Sequence, residues 1–136
     1  MYMVGELEMI KTVWSITFHV SNLKKATRFY QTVVGLEKKY EFKSYVGFEC
    51  GGTEIGLVPK PEGQRSGYSS PTVELLVDDV DKAYTELKAK GVKFIDEVHE
   101  ETWGGRQASF MDLDGNILEI TQMNWKKYFE VSAKGT

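Results

Sequence analysis

The clearest hydrophobic pattern in the chain is a two-residue alternation over residues 13–20. Its apolar positions are Trp14, Ile16, Phe18 and Val20, and its polar positions are Ser15, Thr17 and His19. A period of two predicts a half-buried β-strand. We expect the apolar face, including Trp14, to lie against a helix and the polar face to line the other side of a sheet.

The pattern then changes to a helical period. Apolar residues over residues 23–33 recur three and four positions apart, which predicts a helix with one face on the sheet. Asn22 stands at its N-cap position, and Gly35 stands where a left-handed C-cap would end it. Strands are predicted next at residues 37–43, 45–50 and 54–58, and a linker rich in Pro, Gly and Ser follows over residues 59–70.

The same order then begins again. We predict a strand at residues 71–77, a helix at 79–90 and strands at 92–98 and 106–111, closed by a hairpin at Asp114-Gly115-Asn116 whose second strand carries Glu119. The segment at Val20 aligns with the one at Val77, and Gly52 aligns with Gly115. The two offsets differ by an insertion around Trp103. The sequence therefore predicts two βαβββ modules.

These modules would form one α+β domain, a curved mixed sheet around a concave cleft with the helices outside. Module one would span about residues 11–59, the linker about 60–70, module two about 71–122, and a tail residues 123–136. In the tail, Trp125, Tyr128 and Phe129 could cover an edge or a partner.

Composition limits the function classes. The net charge is −3, and lysine pairs such as Lys38-Lys39 are expected to be solvated, so neither nucleic acid nor a membrane is an expected partner. The one cysteine, Cys50, excludes an internal disulfide and a cysteine zinc cluster, and we expect it to be buried. Residues 1–11 carry no signal-like apolar run, so the expected location is the cytoplasm.

The paired modules, the Val-x-Asp/Asn-(Leu/Val) start of each helix and the closing Phe-x-Asp-x-Asp-Gly-Asn-x-x-Glu hairpin resemble the vicinal oxygen chelate superfamily over about residues 11–122. That superfamily includes glyoxalase I, extradiol dioxygenases, fosfomycin-resistance enzymes and bleomycin-resistance proteins. The resemblance implies a cleft between the modules and a homodimer, with modules pairing within or across chains. It also implies, in the metal enzymes, one metal ligand on the first and last strand of each module.

Carried onto this chain, those four ligand positions are Ser15, Gly56, Thr72 and Glu119. Only Glu119 is a credible ligand, because Gly has no side chain and neutral hydroxyls bind transition metals poorly. The chain is therefore similar to the bleomycin-resistance branch without metal ligands, and no cofactor is expected. A displaced metal site at His19, Glu74 and Glu119 is an alternative. It is opposed by the strand rise, which puts His19 roughly 13 Å beyond Ser15.

We expect the ligand-binding residues to be Ser15, Thr17, His19, Glu54, Thr72, Glu74, Trp103, Arg106 and Glu119. Carboxylates gathered in a cleft attract a cation, and Trp103 would add an aromatic wall, with Tyr40, Tyr45 and Phe48 as weaker candidates. Arg106 could instead neutralise one of the acids.

Three functions remain open from the sequence. The first is metal-independent binding of a cationic or aromatic drug, as in antibiotic resistance. The second is a metal-dependent lyase, isomerase or dioxygenase with shifted ligands. The third is a structural or regulatory module without a pocket.

Overall fold

A computed structural model describes residues 9–61 and 71–135 of the chain. Its elements, in order, are β1 (Ile10–Val20), α1 (Leu23–Arg28), a π-helical segment (Phe29–Val34), β2 (Glu37–Glu41), β3 (Val46–Cys50), β4 (Thr53–Pro59), β5 (Thr72–Val77), α2 (Val80–Ala89), β6 (His99–Glu100), β7 (Gly105–Met111), β8 (Ile117–Met123) and α3 (Trp125–Ala133). No helix in these residues is long and apolar enough to cross a membrane.

All the described strands belong to one mixed sheet with the order β2-β3-β4-β1-β5-β8-β7-β6. Within each module the first and last strands are parallel, β1 with β4 and β5 with β8. The modules join through an antiparallel pair, β1 with β5, at the centre. The predicted α+β plan of two βαβββ modules is therefore confirmed, and the modules pair within the chain. Homodimerisation stays a prediction.

The first two helices and the hydrophobic core lie on one face of the sheet. In module one, buried Val46, Phe48 and Leu57 pack with apolar residues of α1. In module two, buried residues of β5, α2, β7 and β8 form a second cluster. Phe48 is thus a core residue and does not form part of the aromatic wall of the cleft, for which it was a candidate. The opposite face of the central strands is left for polar side chains.

Each predicted helix start is confirmed by its cap. The side chains of Asn22 and Asp79 accept hydrogen bonds from the backbone N–H groups of Lys25 at 2.9 Å and Lys82 at 3.1 Å. The first helix reaches Gly35 as expected, where φ is +88°, but its second half is π-helical. The closing hairpin is confirmed as well, with Gly115 at φ +87° in its turn.

The predicted strand over residues 92–98 is wrong. Phe94 makes one isolated bridge to Phe110, and the paired strand is the two-residue β6 that follows. The N–H of Ile95 donates to the Ser109 carbonyl at 2.7 Å, but the N–H of Ser109 donates to the Asp96 carboxylate at 2.8 Å, so a side chain replaces the return backbone bond. The apolar residues of this segment serve ring packing instead of strand pairing, since the ring centre of Phe94 lies 4.4 Å from that of Tyr84. Of the predicted linker, residues 62–70 lie outside the described residues.

Candidate functional site

A cavity of about 550 Å³ lies on the sheet face opposite α1 and α2. It is lined by side chains of β1, β2, β4, β5, β7 and β8, by the loops at Tyr45 and Trp103, and by α3. Of the predicted ligand-binding residues, those that line it are Ser15, Thr17, His19, Glu54, Thr72, Glu74, Trp103 and Glu119. Whether they bind a ligand stays a prediction.

Three carboxylates of this cavity stand in one row across four neighbouring strands. Ser15 on β1 lies opposite Glu54 on β4 and opposite Glu74 on β5. Glu74 in turn lies opposite Glu119 on β8. Because adjacent strands are about 4.8 Å apart, the row from Glu54 to Glu119 extends about 14 Å along the sheet. We call these four residues the acidic row.

Glu54 is the compensated end of the acidic row. It is 3% exposed, and its carboxylate accepts hydrogen bonds from the hydroxyls of Tyr40 and Tyr45. The Lys39 ammonium lies 2.9 Å from the same carboxylate. Burial, together with the negative charge of Glu54, raises the pKa of both tyrosines. Both phenols therefore remain neutral donors over the physiological pH range.

The other end of the acidic row has hydroxyl partners in place of a cation. Glu74 accepts hydrogen bonds from Ser15 at 2.8 Å and Thr121 at 2.7 Å. Burial raises the pKa of Glu74, while these two hydrogen bonds oppose that shift. Burial, and then repulsion from Glu74 and Glu101, raises the pKa of Glu119 to about 8. Glu119 therefore holds a proton at neutral pH.

Trp14 is a cavity residue, so its predicted place against a helix is wrong. Val13 pairs with Leu75 and Ser15 with Glu74, so Trp14 is an extra residue in β1, a β-bulge. A bulge interrupts the alternation of faces and re-aims a side chain. The Trp14 ring consequently lies in the cavity wall, 5.3 Å from the ring of Trp125.

A second bulge brings Lys39 to the same place. Lys38 pairs with Phe48 and Tyr40 with Gly47, which leaves Lys39 as the extra residue of β2. Lys38 bonds the exposed Glu41 at 2.6 Å, whereas Lys39 reaches the buried Glu54. The expectation of a solvated lysine pair is therefore wrong for Lys39.

Arg106 does not line the cavity, and this expected site residue is corrected. Along β7, Gln107 faces the cavity, so its neighbour Arg106 points to the other face of the sheet. There its guanidinium bonds Asp81 of α2 at 2.9 Å and Glu100 at 3.4 Å. Arg106 therefore pairs with acids on the outer face of the sheet and does not contact those of the acidic row.

Two smaller expectations concern Trp103 and Cys50. The Trp103 ring lies over Gly105, where a Cβ would overlap it, so this glycine makes room for an aromatic cavity wall. Cys50 is exposed beside the Gly51-Gly52 turn, so the expectation of a buried cysteine is wrong.

Sequence reasoning missed several cavity residues. They are Trp14, Phe42, Ser44, Val58, Glu101, Thr102, Gln107, Tyr128, Val131 and Ser132. Gln107 could have been found, because it precedes Glu119 in the hairpin and faces the same side. Tyr128, Val131 and Ser132 share one face of α3, whose position over the cleft no local pattern reveals.

The four positions expected to hold a metal do not provide a suitable set of donors. The Ser15 hydroxyl already donates to Glu74, and a Cβ at Gly56 would overlap the phenol of Tyr45. The space of a side chain at position 56 is thus filled by an aromatic ring. The displaced alternative fares no better, because no group of three or more potential metal ligands occurs in the described residues.

Comparison with known proteins places these observations in a family. The family model described as Glyoxalase/Bleomycin resistance protein/Dioxygenase superfamily matches residues 13–120. The uncharacterized protein YraH of Bacillus subtilis is 32% identical, with 76% of this chain and 92% of YraH covered. The metallothiol transferase FosB of Staphylococcus haemolyticus is 28% identical, with 82% and 84% covered.

Solved structures share the fold at low sequence identity. The methylmalonyl-CoA epimerase of Mycobacterium tuberculosis superposes with a TM-score of 0.73 over 90% of this chain and 93% of the epimerase, at 15% identity. This similarity shows a shared arrangement of helices and strands. The chemistry of the cleft depends on the residues described above.

Proposed function

The chain belongs to the glyoxalase/bleomycin resistance protein/dioxygenase superfamily, and from that premise we propose that it binds a small cationic molecule in its cleft without a catalytic metal. Aromatic side chains of the cleft would contact this molecule. The observation that carries the proposal is the uncompensated end of the acidic row, Glu74 and Glu119, which faces a cavity with aromatic walls.

The size and lining of the cavity support this function. Small-molecule sites commonly enclose about 300–1,000 Å³ and combine apolar walls with a few polar groups. Here the walls include Trp14, Tyr45 and Trp103, and the polar groups are carboxylates together with Ser and Thr hydroxyls. Aromatic faces and carboxylates both attract a positive charge, and both attractions strengthen where water is excluded.

The raised pKa of Glu119 also favours binding of a cation at this end of the acidic row, because a cation would stabilise the ionised carboxylate. Because burial and the nearby carboxylates outweigh the opposing effect of His99, the Glu119 carboxyl keeps a proton up to a pH of about 8. A ligand cation at this end would favour the ionised form and release that proton. Ligand affinity is therefore coupled to pH, and the affinity for a cation should rise as the pH rises towards 9.

The test uses benzyltrimethylammonium, whose charge does not titrate, and its uncharged isostere neopentylbenzene. We expect calorimetric titration to show saturable binding of the cation, weaker binding of the isostere, and about a ten-fold gain in cation affinity from pH 6 to pH 9. Glu119→Gln should abolish the pH dependence. The matched control Glu86→Gln, on the outer helix α2, should preserve it.

Two results would contradict the proposal. One is the absence of any preference for the cation over the isostere in the wild-type protein. The other is about one tightly bound divalent ion per chain, measured by elemental analysis of protein purified without a chelator. That second result would favour a metal-dependent enzyme.

A further inference from the structure

The Lys39 ammonium is enclosed by three aromatic rings and one carboxylate at the compensated end of the acidic row. It lies 5.1 Å from the ring centre of Trp14, 5.4 Å from that of Tyr40 and 5.8 Å from that of Tyr128. The carboxylate is that of Glu54, at 2.9 Å. We call Trp14, Tyr40, Tyr128 and Glu54 the cage.

The cage is assembled from separate parts of the chain. One bulge turns Trp14 into the cavity, the other brings Lys39 beside it, and α3 supplies Tyr128. The Trp14 and Tyr128 rings meet edge to face at 5.4 Å, and the Tyr40 and Tyr128 hydroxyls lie 3.1 Å apart. The rings thus hold one another in place around the ammonium.

This arrangement has the chemistry of an alkylammonium site. Aromatic faces within about 6 Å of a cation attract it, and aromatic cages are a common means of binding quaternary ammonium groups. Burial of Lys39 lowers its pKa, but the hydrogen bond and charge of Glu54 more than offset this and raise it overall. The ammonium in the cage is therefore charged at physiological pH.

Lys39 is also able to leave. Its side chain is 24% exposed, whereas that of Glu54 is 3% exposed, so the lysine sits at the edge of the cage and not beneath it. Its flexible stem would allow the ammonium to move into water while the cage remains.

We propose that the cage is a second cation-binding subsite occupied by the protein's own Lys39, and that the ligand is a molecule with two positive groups, one of which displaces this lysine. The other group would lie at Glu74 and Glu119. The proposal rests on the proposed function for that second contact. The acidic row sets the spacing between the two charges, with three strand spacings, about 14 Å, between the strands of Glu54 and Glu119.

The experiment compares one-charge and two-charge probes in two lysine variants. Decamethonium carries two trimethylammonium groups on a long chain, and benzyltrimethylammonium carries one. Lys39→Ala empties the cage, and the matched control Lys38→Ala removes an equal charge from the neighbouring position. We expect Lys39→Ala to bind decamethonium about ten-fold more tightly or better, because the resident competitor is gone. Benzyltrimethylammonium should keep its first site, with an affinity within about three-fold of the Lys38→Ala value, and should gain a second site at the emptied cage.

Only one benzyltrimethylammonium site per chain in Lys39→Ala, no gain in decamethonium affinity, or weaker decamethonium binding would overturn the proposal. A loss would mean that Lys39 only holds the cage together. Thermal melting of each variant checks that it folds.

A second measurement needs no variant. The three rings should shift the NMR signals of the Lys39 ε-methylene upfield in the wild-type protein, and saturating decamethonium should return them to the position of an exposed lysine. Signals that stay shifted while decamethonium binds, or the absence of decamethonium binding to both wild type and Lys39→Ala, would overturn the proposal.

The two proposals can fail separately. Loss of benzyltrimethylammonium binding and of its pH dependence would remove the function proposed for Glu119, while a decamethonium gain in Lys39→Ala would still support the cage. Conversely, pH-dependent binding of the single cation without any effect of Lys39→Ala would leave only the first proposal standing.

Discussion

Glu54 and Glu119 stand at opposite ends of the same row of side chains, yet their surroundings differ in one respect that decides their chemistry. Glu54 has an ammonium at 2.9 Å and two phenol donors. Glu119 has carboxylates as neighbours, and its pKa rises to about 8. The same row of side chains therefore holds an internal ion pair at one end and a protonated carboxyl at the other.

The difference arises from what each module contributes to the cavity. In module one, Gly47 and Gly56 leave space over the sheet that Tyr40 and Tyr45 fill, which brings their hydroxyls to Glu54. In module two, the corresponding position of Gly56 is Glu119 itself. The two modules repeat the backbone plan, but their side chains differ. Module one places Lys39 beside Glu54, whereas module two surrounds Glu119 with other carboxylates.

The largest expected effect comes from removing the compensated acid. Glu54→Gln should lower the free energy of unfolding by about 3 kcal/mol, because a neutral amide weakens the hydrogen bonds that the buried carboxylate accepts from Lys39, Tyr40 and Tyr45. Urea denaturation at pH 8 measures this. A change below about 0.5 kcal/mol would mean that the ion pair contributes little and that the two ends differ less than their geometry indicates.

The same substitution at the other end should have the opposite sign. The pKa of Glu119 is raised from 4.5 to about 8, so the folded protein binds more protons than the unfolded chain between those values. The free energy of unfolding therefore falls as the pH rises through this window. Glu119→Gln should remove that fall and stabilise the protein at pH 8 by roughly 2 kcal/mol. Parallel wild-type and variant curves from pH 5 to pH 9 would contradict the protonated carboxyl.

A smaller effect is expected from filling the space under Tyr45. A Cβ at position 56 would overlap the Tyr45 phenol, so Gly56→Ala should destabilise the protein by about 1 kcal/mol, since the overlap is with the far end of a side chain. Tyr45→Ala removes the obstacle at its own cost. In a double-mutant cycle, the Gly56→Ala penalty should therefore shrink in the Tyr45→Ala background. Additive penalties would show that the ring does not occupy this space.

The smallest effect should come from Arg106→Ala. This arginine bonds Asp81 and Glu100 on the outer face, away from the acidic row. We expect the affinity for benzyltrimethylammonium and its dependence on pH to stay within about two-fold of wild type. A larger change would place Arg106 in contact with the acids of the cleft, against the observed geometry.

Much of this architecture is readable from the sequence because it follows local rules. Caps at Asn22 and Asp79, glycines at helix ends and the Asp-Gly turn fixed most element boundaries, and the internal repeat indicated the pairing of the modules. Alternation also placed Ser15, Glu54, Glu74 and Glu119 on one face, because these positions lie in regular stretches of their strands.

The rest depended on features that have no local signal. Alternation failed at Trp14 and Lys39 because each is an extra residue opposite a regular partner strand. It also failed over residues 92–98, where ring packing and an Asp side chain replace a strand. Tyr128 entered the cavity through the docking of a helix, which depends on tertiary contacts. Two residues of the cage, Trp14 and Tyr128, and its occupant Lys39 are such exceptions.

The two bulges have a consequence for how such a cleft could diversify. Each inserts a single residue into a strand whose partner continues unbroken. Loss of one codon at either place would restore regular pairing at that point and would remove Trp14 from the cage or Lys39 from within it, while most of the strand pairing persisted. Gain of one codon in a regular strand would do the reverse. Ligand preference in this scaffold could therefore change through small insertions and deletions, without any substitution at the acidic row.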